Sequence, residues 1–243
     1  MRHIETSRRA VSAAFCAVLL AACAPTGTAP ATSSPPASPS TASSAPATPS
    51  GTAAPASPSD PAASDWKNYT TPDGQLTFAY PAEWSIKDRA AEAAPGGVFV
   101  EVLRETGKPI ATLRTNMVTG SECVEKYPYS LLDSEELPAL AQGGQTPRFV
   151  FEGRANPTAT GAAASNPLAY GITSAPEPSG PTACPIFHFF TWPPSGAMFG
   201  GAYDPFDTTP GNPPQIDTPE GYTETGEYKD IRKMITSLRP AGK

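Results

Sequence analysis

Histidine is almost missing from this chain: there are two in 243 residues, His3 and His188. That scarcity excludes multi-histidine metal centres and two-histidine catalysis. Cysteine is nearly as rare, at four, and none of the four stands in a C-x-x-C pair of the kind that cycles as a redox dithiol. No G-x-S-x-G segment supplies a nucleophile elbow, and the glycine pairs Gly96-Gly97 and Gly200-Gly201 lack the glycine and lysine context of a phosphate loop. Charge is sparse too, at 16% of residues, with 23 acidic against 17 basic side chains and a net charge of −6. An acidic balance of that kind argues against nucleic acid or an anionic membrane surface as partner. No apolar run approaches the ~20 residues needed to span a bilayer as a helix.

What is present begins with an export signal. Arg2, Arg8 and Arg9 precede an apolar run from Ala10 to Leu20, and small residues follow at Ala21 and Ala22. This is the charged, apolar, small-residue order of a secretory leader. Leu20-Ala21-Ala22-Cys23 resembles the bacterial lipobox, in which the cysteine thiol receives a diacylglyceryl group and the leader is cut off just before it. The resemblance implies residues 1–22 as signal peptide, Cys23 as the lipidated first residue of the mature chain, and attachment to the outer face of the cytoplasmic membrane. Two or three acyl chains make a stable anchor where one is marginal, since each buried methylene adds about 0.8 kcal/mol. Export through the general secretory route is expected; Ser7-Arg8-Arg9-Ala10-Val11 is a partial match to a twin-arginine signal.

From Ala24 to Asp65 the chain is almost wholly Ala, Ser, Thr and Pro, with ten prolines among 42 residues. Nothing there offsets the entropy of ordering, so residues 23–65 are expected to be a lipidated cysteine followed by a disordered tether. Apolar and aromatic residues return at Trp66, and residues 66–243 are long enough for one domain with its own core. Loss of the leader removes three arginines and one glutamate and takes the net charge from −6 to about −8. It also removes Cys16, which leaves Cys123 and Cys184 as the only thiols of the domain. In an oxidising compartment these are expected to form a disulfide, worth on the order of 4 kcal/mol for a loop of about 60 residues.

Alternation places strands at Gln75 to Tyr80, after the turn Pro72-Asp73-Gly74, and at Val98 to Leu103, Ile110 to Val118, Thr146 to Glu152 and Ile186 to Trp192. The last is apolar on both faces and predicts a central, covered strand. Tyr228, Ile231, Met234, Ile235 and Leu238 share one face of a C-terminal amphipathic helix, with Asp230, Arg232 and Lys233 on the wet side and Pro240 ending it. Ala155 to Thr182 and Asp204 to Thr225 read as long loops, with disorder expected over Ala155 to Ala164.

The run from Gly74 to Trp84, a short strand meeting Tyr80-Pro81-Ala82-Glu83-Trp84, resembles the opening of the PsbP-like fold as found in actinobacterial lipoproteins of the LpqN-like kind. The closing helix with Ser237-Leu238-Arg239 is similar as well. The resemblance implies an α+β domain, a PsbP-like α/β/α sandwich with an antiparallel sheet between helical layers and long Pro/Gly-rich loops. Its members share no catalytic residues, so none is carried over.

Among candidate sites, His188 beside Phe187, Phe189 and Phe190 reads as a core or edge histidine. Glu135-Glu136, Glu101 with Glu105, and Asp204 with Asp207 are carboxylate pairs that would have to face one cleft to hydrolyse a glycoside. Trp192 and Tyr203 are the candidates for an aromatic ligand-binding surface. No catalytic residue, metal or cofactor is expected. The expected function is a non-enzymatic binding module of the cell envelope, taking a wall polymer, lipid, peptide or envelope protein and no nucleic acid. The alternative is an extracytoplasmic hydrolase or transferase using carboxylates with or without His188.

Overall fold

In a computed structural model of the chain, the described residues are 65–118, 120, 122–207 and 218–242. The leader, Cys23 and the tether lie outside them. Two antiparallel sheets and one substantial helix make up the domain. The smaller sheet is formed by β1 (Trp66–Thr70), β2 (Leu76–Pro81) and β12 (Arg239–Pro240), with β2 in the middle. Its first hairpin turns where the sequence signals it: Gly74 has φ of 68°, and the Asp73 carboxylate accepts from Thr71 Oγ1 at 2.6 Å and from the Gln75 amide at 3.1 Å.

The larger sheet runs β3 (Ser85–Asp88), β4 (Phe99–Leu103), β5 (Pro109–Arg114), β11 (Ser195–Tyr203), β8 (Leu168–Thr173), β7 (Arg148–Arg154), β6 (Tyr127–Glu136) and β9 (Thr182–Ala183), and β10 (Phe190–Trp192) pairs with the start of β11. Alternation sorts its side chains cleanly. One face carries Val100, Leu113, Phe199, Tyr170, Ile172, Phe149 and Phe151, all buried in the main core. Against it pack Leu76 and Phe78 of the small sheet, the Phe78 and Phe199 rings lying 4.8 Å apart.

The helix α3 (Gly226–Thr236) closes the same face. Tyr228, Ile231, Met234, Ile235 and Leu238 are all buried, as their spacing predicts. The Tyr228 ring lies 5.2 Å from Phe151, and Tyr222 of the short helix α2 (Pro219–Thr223) meets both. Thr225 caps α3 by accepting from the Tyr228 amide at 3.1 Å. Thr225→Ala is therefore expected to cost about 1 kcal/mol and Thr225→Ser much less, a difference that calorimetry of the two variants resolves. After the helix, Ser237 Oγ donates to the Met234 carbonyl at 2.7 Å and accepts from the Ala79 amide at 2.8 Å, so the Ser-Leu-Arg close fastens α3 to β2.

Several expectations need correction. Ala155 to Thr182 is not one loop: it holds the short helix α1 (Ala162–Ser165) and β8, an interior strand of the sheet. Glycine and alanine in Leu168-Ala169-Tyr170-Gly171-Ile172-Thr173 mask a strand whose large residues all face the core. Ile186 to Trp192 is not a central strand; only Phe190–Trp192 pairs, and residues 186–189 cross the far face of the sheet outside any strand. His188 of that segment turns to the sheet and is buried, while Phe187 on its other side is 43% exposed, so its two apolar faces do not mark two neighbouring strands. Two helical layers are thus not found among the described residues: the core face of the large sheet packs against the small sheet together with Tyr222 and α3, and residues 186–189 run along part of the other face. Arg232 is half-buried rather than wet, donating from Nε to Asp133 of β6 at 2.6 Å and pairing with Glu135 at 2.8 Å.

Candidate functional site

The far face of the large sheet carries a row of unusually small residues. In register across four strands stand Val150, Gly171, Gly200 and Thr112. Beside them stand Glu152, Ala169 and Ala202. A Cβ on Gly200 would come within 2.4 Å of the Tyr170 carbonyl oxygen, and one on Gly171 within 2.9 Å of His188 Nδ1. Without a side chain at 171, His188 lies against the sheet and residues 184–189 run along it as a strap, whereas the bare Gly200 lets β11 and β8 come close to each other.

Four fastenings hold the strap. Cys184 is disulfide-bonded to Cys123, with their Cα atoms 5.4 Å apart, the pairing expected from the sequence. Arg154 donates from Nε to the Cys184 carbonyl at 2.6 Å and from Nη1 to the Gly153 carbonyl at 2.9 Å. The Ser174 amide donates to the Phe189 carbonyl at 2.8 Å. Finally, His188 Nε2 lies 3.0 Å from Glu152 Oε1, the oxygen that also accepts from Arg154 Nη2 at 3.2 Å.

Glu152, Arg154 and His188 are 6%, 7% and 9% exposed, which makes this the buried polar cluster of the far face. Burial by itself would raise the Glu152 carboxyl above its ordinary 4.5, but the hydrogen bond and charge of His188 and the Arg154 guanidinium outweigh it and hold the group low. A carboxyl whose folded value is depressed stabilises the fold fully above its unfolded value and loses that contribution as pH falls through the folded one. As pH falls below about 5, urea unfolding should show a steeper loss of stability for the native chain than for Glu152→Gln. Equal slopes would show that the carboxyl is not held low.

The strap divides the face into two hollows. On the β5–β11–β8 side is an apolar groove of about 440 Å³, walled by Ile186, Phe187, Phe189 and Met198 over the small-residue floor, with His188 and Thr112 its polar side chains apart from Tyr170. Tyr170 spends its hydroxyl on the Ile110 carbonyl at 2.8 Å. On the β6–β7 side is a polar cleft of about 530 Å³ lined by Lys126, Arg148, Glu152, Arg154, Glu177 and the disulfide. Phe187 borders both hollows and is 43% exposed, with its ring 4.0 Å from that of Phe189.

The carboxylate pairs do not converge. Glu101 is bound by Arg89 at 3.3 Å and Lys87 at 4.0 Å, Glu135 by Arg232, and Asp207 by Lys108, while Asp204 caps the amide of Phe206 at 2.8 Å. Trp192 and Tyr203 do not share a surface: Trp192 is 6% exposed within the core, and Tyr203 stacks on Tyr222 at 3.7 Å. No group of three or more His, Cys, Asp or Glu is placed to hold a metal among the described residues, and no helix there is long and apolar enough to cross a membrane. Sequence reasoning missed Glu152 and Arg154; their i, i+2 spacing on a strand, which puts both on one face, is the signal that was available.

No protein-family profile and no curated protein matches the chain. Among solved structures it is similar to the solution structure of the cyanobacterial PsbP protein CyanoP from Synechocystis sp. PCC 6803, at 12% identity over 76% of this chain and 98% of that one, with a TM-score of 0.31. An overlap of that extent decides neither fold nor function.

Proposed function

We propose that the chain is a lipid-anchored, extracytoplasmic binding module, built on a PsbP-like variant of the α+β class and non-enzymatic, with the far face of its large sheet as the binding surface. The address rests on the leader and lipobox ending at Cys23, and the disulfide fits an oxidising compartment. The PsbP-like reading rests on the Gly74 to Trp84 opening and the Tyr228 to Leu238 helix.

One observation carries the choice of binding over catalysis. The apolar groove is lined by no serine, cysteine, aspartate or glutamate, and the carboxylate bonded to its His188, Glu152, is committed to Arg154 and His188. Apolar walls with a few placed polar groups make a ligand site, whereas a reaction needs a nucleophile or a second proton carrier beside the first. Partners suited to such a surface are a wall polymer, a lipid, a peptide or an envelope protein.

Thermal unfolding of the full chain against a panel of cell-wall fragments, lipids, sugars and calcium tests the reading. A ligand that binds the folded state raises the midpoint by an amount that grows with the logarithm of its concentration, reaching about 2.7 kcal/mol of stabilisation at a hundred times Kd. Loss of that shift in Phe187→Ser places the ligand on the strap. Turnover of any panel member would overturn the non-enzymatic reading.

A further inference from the structure

We propose that the polar cleft beside the strap is a site for an organic carboxylate, whose anionic head is received by Arg148 and Lys126 and whose apolar body lies against the proline-rich wall and Phe187. The inference rests on the binding-module reading and names the ligand class for one of its two hollows.

The cleft holds more positive charge than negative. Lys126, Arg148 and Arg154 line it against Glu152 and Glu177, in a chain whose net charge is −6. Glu152 and Arg154 are spent on each other and on His188, which leaves two cations to one carboxylate. Neither Lys126 nor Arg148 forms an ion pair among the described residues. For Arg148 a partner is at hand, since Glu136 stands directly opposite it in the β6–β7 register, on the same face of the sheet. The guanidinium reaches toward Ser134 Oγ instead, at 3.5 Å, the far limit of a hydrogen bond. Arg148 is half-buried, so its charge is partly desolvated without a counter-charge, and an anion entering the cleft supplies one.

The same neighbourhood is short of an acceptor in a second respect. The Tyr129 hydroxyl is buried without a hydrogen-bond partner, and the charges acting on it are those of Glu152, Arg148, Glu177 and Arg154, all of which line the cleft.

Shape and charge together set the ligand class. A guanidinium fork matches the two oxygens of a carboxylate, and Lys126 adds a point charge. The remaining wall is formed by Pro176, Pro178, Pro185 and the Phe187 ring, which is apolar and suits a hydrocarbon body. Glu177 disfavours a second negative charge, so a monoanion fits better than a polyanion.

The probes are phenylacetate and phenylacetamide, which match in shape and differ by one charge, titrated by calorimetry into the full chain and into Arg148→Gln, Lys126→Gln and Arg239→Gln. Arg239 lies on the small sheet, and its variant controls for the loss of one positive charge away from the cleft. The expected result is saturable binding of phenylacetate to the native chain with about a tenfold preference over the amide, the scale of a hydrogen bond to a charged group. Arg148→Gln brings phenylacetate down to the level of the amide, Lys126→Gln lowers the preference about threefold, and Arg239→Gln leaves it as it was. Lys126 is exposed, so its variant reads the site even where Arg148→Gln fails to fold. Equal affinity of the native chain for the two probes overturns the assignment, as does a preference that either cleft variant leaves intact or that Arg239→Gln reduces as much as they do. Absence of phenylacetate binding overturns it as well. If a panel ligand still stabilises the native chain in that case, the carboxylate assignment alone has failed; if nothing does, the binding-module reading has failed with it.

Discussion

Replacing Cys123 and Cys184 together by alanine is expected to lower the thermal midpoint by on the order of 10 °C. The bond links positions 61 residues apart. Closing a loop of that length removes on the order of 4 kcal/mol of unfolded-state freedom, and a domain of this size loses about 2 to 4 °C per kcal/mol. The effect acts mainly on the unfolded chain, because the strap keeps Arg154 on the Cys184 carbonyl and His188 on Glu152 without it. Calorimetry of the double variant beside the native chain, each with and without a thiol reductant, measures the difference. Reductant should move the native midpoint to that of the variant and leave the variant unmoved. A drop of less than about 2 °C would mean that the denatured chain is already compact around these two positions.

Glu152→Ala carries the second large effect, an expected loss of about 3 kcal/mol, toward the lower end of the range for breaking a buried ion pair. Arg154, 7% exposed, would keep a buried positive charge with only the Cys184 and Gly153 carbonyls to receive its donors, and His188 Nε2 would lose its acceptor. The cost comes from the stranded charge more than from the pair itself. Glu152→Ala combined with Arg154→Met should therefore recover part of what Glu152→Ala alone loses. Urea unfolding at neutral pH of the two single variants and the double gives the coupling. If Glu152→Ala costs under about 1 kcal/mol, water reaches the cluster and the strap is looser than its fastenings imply.

The C-terminal helix and the β2, β4, β5 and β7 strands were legible because each shows one physical signal strongly: a single apolar face at helical spacing, or alternation bounded by turn residues. Tyr228 to Leu238 buries the very side chains the spacing selects. The far face was not legible, for a reason that Gly171 and Gly200 illustrate. β8 does alternate, Leu168, Tyr170 and Ile172 against Ala169 and Gly171, but glycine and alanine are weak strand formers and the Pro-, Gly- and Ala-rich sequence around them made the strand read as part of a loop. The segment Ile186 to Trp192 failed in the opposite direction: two apolar faces suggested a ladder on both sides, yet the contacts on one side are with the flat of the sheet. Composition reports that a surface is buried and leaves open whether strands or a crossing strap bury it. The same gap hid the His188 pairing, since Glu152 and His188 are 36 residues apart and meet only once the strap is laid down.

β6 pairs with β9 only at Tyr127 and Pro128, so most of its ten residues form the outer border of the large sheet among the described residues. Its register slips between Leu131 and Asp133, and beyond the slip stand Asp133, Glu135 and Glu136. With Asp133 and Glu135 both paired to Arg232, it is the kink at the slip that makes this border a poor template for another strand, whether from a second copy or a half-folded one. A second copy brought up to that border would find a ladder broken at Leu131–Asp133 and could not extend the sheet past it in one register.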